Sequence, residues 1–231
     1  LSEGAPATLP ETSTLGPPDG EKRTMTPNPL TDFVHFMLRP EWPTYVFWVL
    51  MIASVAIAVY CFARMPEQRR LVHLGNWACR VVIGAMWWQQ TLWKLPPYYT
   101  DDGKPSGTNE LAHYLTVEGK SAAIPLLKDF VNHVVSPHFS LFAPIIYAAE
   151  ALTGVSLILG LFVRLWGVLG ALQFLNLWLG LYNDWYEWPW TYFFAFVLMV
   201  IFALHHYGRS LGVDAILTAR PLRSRLLDWI S

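Results

Sequence analysis

Residues 44–63 read TYVFWVLMIASVAIAVYCFA, twenty residues without a charge. At a rise of about 1.5 Å per residue, a helix of that length crosses the roughly 30 Å hydrocarbon core of a bilayer. Four more apolar stretches follow, at about 74–95, 140–162, 165–182 and 189–207. None alternates polar and apolar residues at every second position, as the strands of a membrane barrel do, so helices are the only spanning form left. The pattern predicts an all-α integral membrane protein with five transmembrane helices, the last four forming a bundle.

Composition points the same way. The chain has 231 residues, 54% hydrophobic and 15% aromatic, and only 14% are charged, against roughly 25% in an average soluble domain. A net charge of -1 and the lack of a basic run argue against a nucleic-acid partner. Cys61 and Cys79 are too far apart for a C-x-x-C metal motif and are expected to be free thiols among the helices. No phosphate loop, G-x-S-x-G elbow or H-E-x-x-H motif occurs, so chemistry would require an imported cofactor or a partner. Leu1 at the start fits a processed or trimmed chain, Met25 fits an internal start, and no stretch has the layout of an intact signal peptide.

Around the spans the chain divides further. Residues 1–29 are rich in Pro, Gly, Ser and Thr, too polar to offset the entropy of ordering. Leu30, Phe33, Val34, Met37 and Leu38 then recur at helical spacing between the potential cap Thr31 and Pro40, as in a short interfacial helix. Residues 1–43 are thus expected to form an extended arm with that helix, and 44–73 an extra first span with its linker. The four-helix core is placed at 74–217 and a cytoplasmic tail at 218–231. Within the loop 96–138, Ile124, Leu127, Val131 and Val134, with Leu126 and Phe130 beside them, make an apolar stripe of period near 3.6. That stripe predicts a helix lying across the bundle mouth.

Orientation follows from the basic residues. Arg64, Arg69, Arg70, Arg164, Arg209, Arg220, Arg223 and Arg225 crowd one set of span ends, whereas Lys22, Arg23, Arg39, Lys104, Lys120 and Lys128 lie mostly farther from them. The first set marks the cytoplasm. The N-terminus is therefore expected outside and the C-terminus inside, in the inner (cytoplasmic) membrane of a bacterium or archaeon. An aromatic belt of Tyr182, Trp185, Tyr186, Trp188 and Trp190 would lie at the outer interface.

Polar side chains inside spans are costly and mark function unless they serve only to join helices. Here they are Arg80, Gln89, Gln90, Glu150, Gln173, Asn176, His205 and His206. By helical rise Gln89, Gln90, Glu150 and Asn176 lie at similar depth and are candidates to meet in one polar pocket. The plainer reading makes them inter-helix hydrogen bonds worth about 0.6–2 kcal/mol each. Arg80 lies about two turns from Glu150 towards the cytoplasm, within partial reach of a long side chain. Lys94, beside Trp93 and Pro96, reads either as an interfacial anchor or as a group that holds an anion or a quinone carbonyl. A bis-histidine haem between His73 and His205 or His206 is geometrically conceivable but disfavoured, because an adjacent His pair more often caps a helix end.

From about residue 74 the order of features resembles the DoxX/DoxD family. Arg80 and Gly84 lead into Trp87–Lys94; Glu150, Gly154, Gly160 and Arg164 follow; and GRSLGVDA at 208–215 closes the series. The resemblance implies a membrane subunit tied to redox chemistry, with DoxD-like members forming the small subunit of a thiosulfate:quinone oxidoreductase. It leaves 1–73 uncovered. It also implies other membrane or periplasmic subunits as partners and a quinone as cofactor. On that basis Trp87, Trp88, Gln90, Trp93, Asn176 and Trp178 are expected to hold the quinone ring, and Glu150, Lys94 and Arg80 to serve proton or charge movement. The competing reading is a non-catalytic structural subunit of a larger membrane complex. A solute transporter is less favoured, since no internal repeat or half-helix pair is evident.

Overall fold

The computed structural model describes residues 28, 34, 38–219 and 229–231. Most of the arm, its expected interfacial helix and most of the tail lie outside those residues. Residues 41–231 form one compact unit, and the described part of it is helical, with a single isolated bridge between Leu95 and Thr100 as its extended pairing.

Each helix has a local cause. Helix α1 (Trp42–Arg64) starts with Pro43 in its first turn and stops ahead of Pro66, the positions where proline respectively suits and ends a helix. Helix α2 (Leu71–Gln90) carries the segment rich in tryptophan. Helix α3 (Glu110–Ser121) is capped by Asn109, whose side-chain oxygen accepts the Ala112 N–H at 2.9 Å and so satisfies one of the free donors of the first turn. Helix α4 (Pro125–Phe130) runs directly into a π turn over Val131–Val135. Helix α5 (Phe139–Leu159) ends at Gly160, which takes a φ of 71° where a side chain would be strained. Helices α6 (Val163–Gly180) and α7 (Pro189–Leu204) follow, and the short α8 (Val213–Thr218) completes the order.

The 96–138 segment thus contains two helices where its apolar stripe predicts one. The stripe lies on α4 and the π turn; α3 precedes it, separated by Pro125. The signals for α3 were Asn109 as cap and the buried Leu111 and Leu115 one turn apart.

Two helices, α1 and α5, are long and apolar enough to cross a membrane, and α7 is apolar but shorter. Packing runs α2 on α5, α5 on α6, and α6 on α7, with α1 laid against α5. The centre joins Trp87, Leu157, Val163, Ala171, Met199 and Phe202 from all four of the later helices or their ends. Helix α1 is tied to them along its length. Ser54 Oγ donates to the Ile158 carbonyl at 2.6 Å, Trp77 donates to Ser54 at 3.2 Å, and Trp88 donates to the Pro43 carbonyl at 3.1 Å.

Close approach of α2 and α5 depends on Gly84. A Cβ there would stand 2.8 Å from the Ile158 nitrogen and 2.9 Å from the Leu157 Cβ, whereas one at Gly75 meets nothing within 4 Å. Gly84→Val is therefore expected to destabilise the fold by about 1–3 kcal/mol or more, and Gly75→Ala by less than about 1 kcal/mol in either direction. Thermal unfolding of the two purified variants checks this, and equal effects would contradict the packing.

Candidate functional site

Polar side chains gather at two levels of the bundle. At the first, Lys94 and Glu150 form an ion pair, with the two side chains only 4% and 7% exposed. Gln173 on α6 donates its amide to the other Glu150 oxygen at 2.9 Å. The lysine lies in the turn that follows α2 and reaches back across α5; its Nζ also stands 4.2 Å from the centre of the Trp93 ring. Thr91, fully buried in the same turn, donates to the Trp88 carbonyl at 2.7 Å. Tyr147, one turn before Glu150, packs 6.2 Å from the Tyr99 ring. A buried ion pair holds together only when its remaining lone pairs are met, and Gln173 meets one of them.

The amide of Asn176 goes elsewhere. It donates to Glu118 of α3 at 2.7 Å, and the Glu118 side chain fills the space that a Cβ at Gly180 would need, 2.5 Å from its Cγ. Burial pushes the Glu118 carboxyl up from 4.5 to about 7, with the Asn176 hydrogen bond pulling in the opposite direction. Glu118 was missed from sequence because it sits on a helix outside the apolar stretches. Its partner three residues beyond Gln173 was the available signal.

The second level lies at the other end of α5. Arg80, fully buried, donates through Nη1 to the Leu157 carbonyl and to the Ile158 carbonyl, the latter at 3.1 Å. These are end-of-helix acceptors with no partner in their own helix. Asp214 mirrors it. Its two oxygens accept the Phe162 and Val163 N–H groups at 2.8 and 3.2 Å, at the start of α6, and its own N–H donates to the Gly160 carbonyl at 2.8 Å. Burial raises the Asp214 carboxyl to about 6, against the pull of those N–H groups and of Arg80 and Arg209.

The candidate residues therefore separate. Lys94, read from sequence as an anchor or an anion holder, is the cation that meets Glu150, whereas Arg80 contacts residues about 10 Å farther along α5, seven residues on from Glu150. Gln89 and Gln90 are exposed, and Gln90 accepts from the Trp93 indole at 3.3 Å. The expected single pocket of Gln89, Gln90, Glu150 and Asn176 does not form, since α2 turns those glutamines away from α5. Nor do the tryptophans share one slot. Trp87 packs in the core on Phe174 at 4.7 Å, Trp88 bonds to Pro43, Trp93 lies on Lys94 and Tyr114, and Trp178 stacks on Phe193 at 4.9 Å.

The three histidines considered for haem have other neighbours. His73 hydrogen-bonds Ser210 at 3.0 Å, His205 packs on Tyr207, and His206 lies 3.4 Å from Arg164. Among the described residues no group of three His, Cys, Asp or Glu side chains is placed to hold a metal.

Compared with family models, curated proteins and solved structures, the chain matches none of them.

Glu118 generates a pH dependence. A carboxyl whose pKa is higher folded than unfolded binds more protons in the folded state, so its stabilising contribution is full below about 4.5 and disappears as pH rises through about 7. The thermal midpoint of the wild type is expected to fall between those values, with Asp214 contributing in the same direction at lower pH. Glu118→Gln should flatten the upper part of that fall while keeping the hydrogen bond to Asn176. An unchanged slope in the variant would remove Glu118 as its source.

Proposed function

We propose that this chain is a five-span membrane subunit of a quinone-linked oxidoreductase, of the DoxX/DoxD type its sequence resembles. The observation that carries the reading is the buried group of Lys94, Glu150 and Gln173. Charged side chains in an apolar bundle are expensive, and in membrane proteins they characteristically mark proton or ion pathways. The Lys94–Glu150 pair is a donor and an acceptor joined without intervening solvent, and Gln173 fixes the carboxylate orientation. Such a pair is suited to hold and hand on the proton that accompanies quinone reduction or quinol oxidation.

Five spans are supported by length. Helices α2, α6 and α7, with 20, 18 and 16 residues, extend about 30, 27 and 24 Å, and α6 is flanked by the apolar Leu161, Phe162 and Leu181. Exposed apolar side chains support immersion in lipid: on α1, Val49, Ile52 and Val59 are all more than 60% exposed, a pattern unfavourable in water. The arginine asymmetry supports the N-terminus outside and the C-terminus in the cytoplasm. A cysteine introduced within 101–107 is expected to react with a membrane-impermeant thiol reagent in intact cells, and one at Arg223 only after lysis. The reverse pattern would invert the topology.

Lys94, Glu150 and Gln173 satisfy one another, so they handle protons and leave the ring of a quinone to be held elsewhere. Glu150→Gln tests this directly. The amide is nearly isosteric, and Lys94 keeps an acceptor. In the native assembly, electron transfer to a soluble quinone is expected to fall by about tenfold or more, equivalent to at least about 1.4 kcal/mol, with the subunit still assembled. A lowered thermal midpoint with wild-type turnover per folded molecule would make Glu150 a structural partner of Lys94 and sink the proton-handling role.

A further inference from the structure

Tyr147 lies three residues before Glu150 on α5, a spacing that makes the two neighbours on one side of the helix. Its ring is half-buried, edge-on to Tyr99 at 6.2 Å, and its hydroxyl is closed to solvent and makes no close hydrogen bond. Most buried hydroxyls are paired, so an open one beside a buried ion pair needs a reason. Two acceptors act on it, the Thr91 side chain and the Glu150 carboxylate. Thr91 gives its own proton to the Trp88 carbonyl at 2.7 Å, which leaves its oxygen free to accept. Glu150 accepts from Gln173 at Oε1 and meets Lys94 at Oε2, and Oε2 has no hydrogen bond besides that ion pair. An open donor and an open acceptor thus stand about one turn apart.

A second hydroxyl lies farther out. Tyr99 sits in the turn closed by the Leu95 N–H, which donates to the Thr100 carbonyl at 2.7 Å. Its φ of 57° is a left-handed conformation that costs a residue with a side chain about 1–2 kcal/mol. The ring is held against Phe139, at 6.0 Å, as well as against Tyr147. Phe139 opens α5 at the end that meets the 96–138 segment. The order Glu150, Tyr147, Tyr99 therefore runs from the buried pair to that loop, where Tyr99 is partly exposed.

We propose that Tyr147 is a hydroxyl relay between the Lys94–Glu150 pair and the 96–138 loop, with Tyr99 as its outer member. The proposal rests on the proton-handling reading of that pair and adds the route by which the proton reaches it. In the inward step the Tyr147 O–H turns from Thr91 to Glu150 and gives its proton to a carboxylate oxygen. The Tyr147 oxygen takes the Tyr99 hydroxyl proton, and Tyr99 takes one from a hydronium ion at the loop surface. One proton enters, both phenols end neutral, Glu150 becomes a carboxylic acid and Lys94 stays an ammonium; the outward step is the reverse. The remaining neighbours of Glu150 do not supply this route. Gln173 is an amide that does not titrate, and Arg80 is turned to the carbonyls at the opposite end of α5.

The test uses the full chain in phosphatidylcholine nanodiscs, with a rapid drop in pH followed by time-resolved infrared absorption in the carboxyl stretch. The Glu150 signal is the part that Glu150→Gln lacks. Tyr147→Phe is expected to slow its appearance by about tenfold or more while leaving its final amplitude unchanged, and Tyr99→Phe to slow it to a smaller degree. Both variants keep their rings, and thermal midpoints show whether they keep the fold. A wild-type rate in folded Tyr147→Phe would overturn the relay and leave proton handling by the pair standing. A changed amplitude at wild-type rate would do the same, making Tyr147 a hydrogen-bond partner only. Should Tyr147→Phe lose its fold, a wild-type rate in Tyr99→Phe overturns the route instead. Absence of any Glu150 signal in the folded wild type would sink the proton-handling reading together with the relay.

Discussion

The bundle hangs on the three-residue turn between α5 and α6. Two helix ends meet there, exposing unpaired carbonyls on one side and unpaired N–H groups on the other, in a place closed to water. Phe162 adopts a φ of 53°, a left-handed conformation that costs a residue with a side chain about 1–2 kcal/mol. Arg80 supplies the donors and Asp214 the acceptors, each from a different element. Each charge also suits the partial charge of the helix end it meets, a cation at the C-terminus of α5 and an anion at the N-terminus of α6. The turn stays in its strained form because α2 and α8 both hold it.

That arrangement explains the GRSLGVDA stretch in physical terms. Gly208 leaves room for the Asp214 carboxylate, and a Cβ at Gly212 would stand 3.0 Å from the Gly160 Cα. Ser210 accepts from Asn76 at 3.1 Å and bonds His73, and Gln68 clasps the loop with both ends of its amide, donating to the Arg209 carbonyl and accepting the Leu211 N–H, each at 3.0 Å. Cys61 of α1 reaches the Gly212 carbonyl at 3.7 Å. The linker after α1 and the first turns of α2 are thereby fastened to the same loop. Helix α1, which the family resemblance leaves uncovered, is part of the structural unit because its polar contacts end on the most constrained backbone in the chain.

Much of the helical order was legible because spanning length and proline placement act locally. The apolar stretches read from sequence fall on α1, α2, α5, α6 and α7 with shifts of a few residues at their ends. The pairing of Lys94 with Glu150 was not read, because the depth argument put Glu150 level with Gln89 and Gln90 and left Lys94 at the outer end of its span. Nor was the partner of Asn176, because helical rise gives depth and says nothing of which neighbour a side chain faces. Residues 173 and 176 differ by about 60° around α6, enough to send one amide to α5 and the other to α3. The tryptophans failed as a group for the same reason. Their shared chemistry suggested one slot, whereas successive residues such as Trp87 and Trp88 point about 100° apart and enter different interfaces.

Arg80 and Glu150 show why burial alone does not distinguish a structural charge from a functional one. Both are buried, and they lie on neighbouring helices of the same bundle. Arg80 donates to backbone carbonyls that exist in any sequence folded this way, and those contacts hold the turn. Glu150 is bound by two side chains, the Lys94 ammonium and the Gln173 amide. A charge answered by a titratable partner and a reorientable amide has more than one low-cost arrangement, which is the minimum requirement for moving a proton. The two charges thus sit in different surroundings, the arginine against the carbonyls of a helix end and the carboxylate between a lysine and an amide.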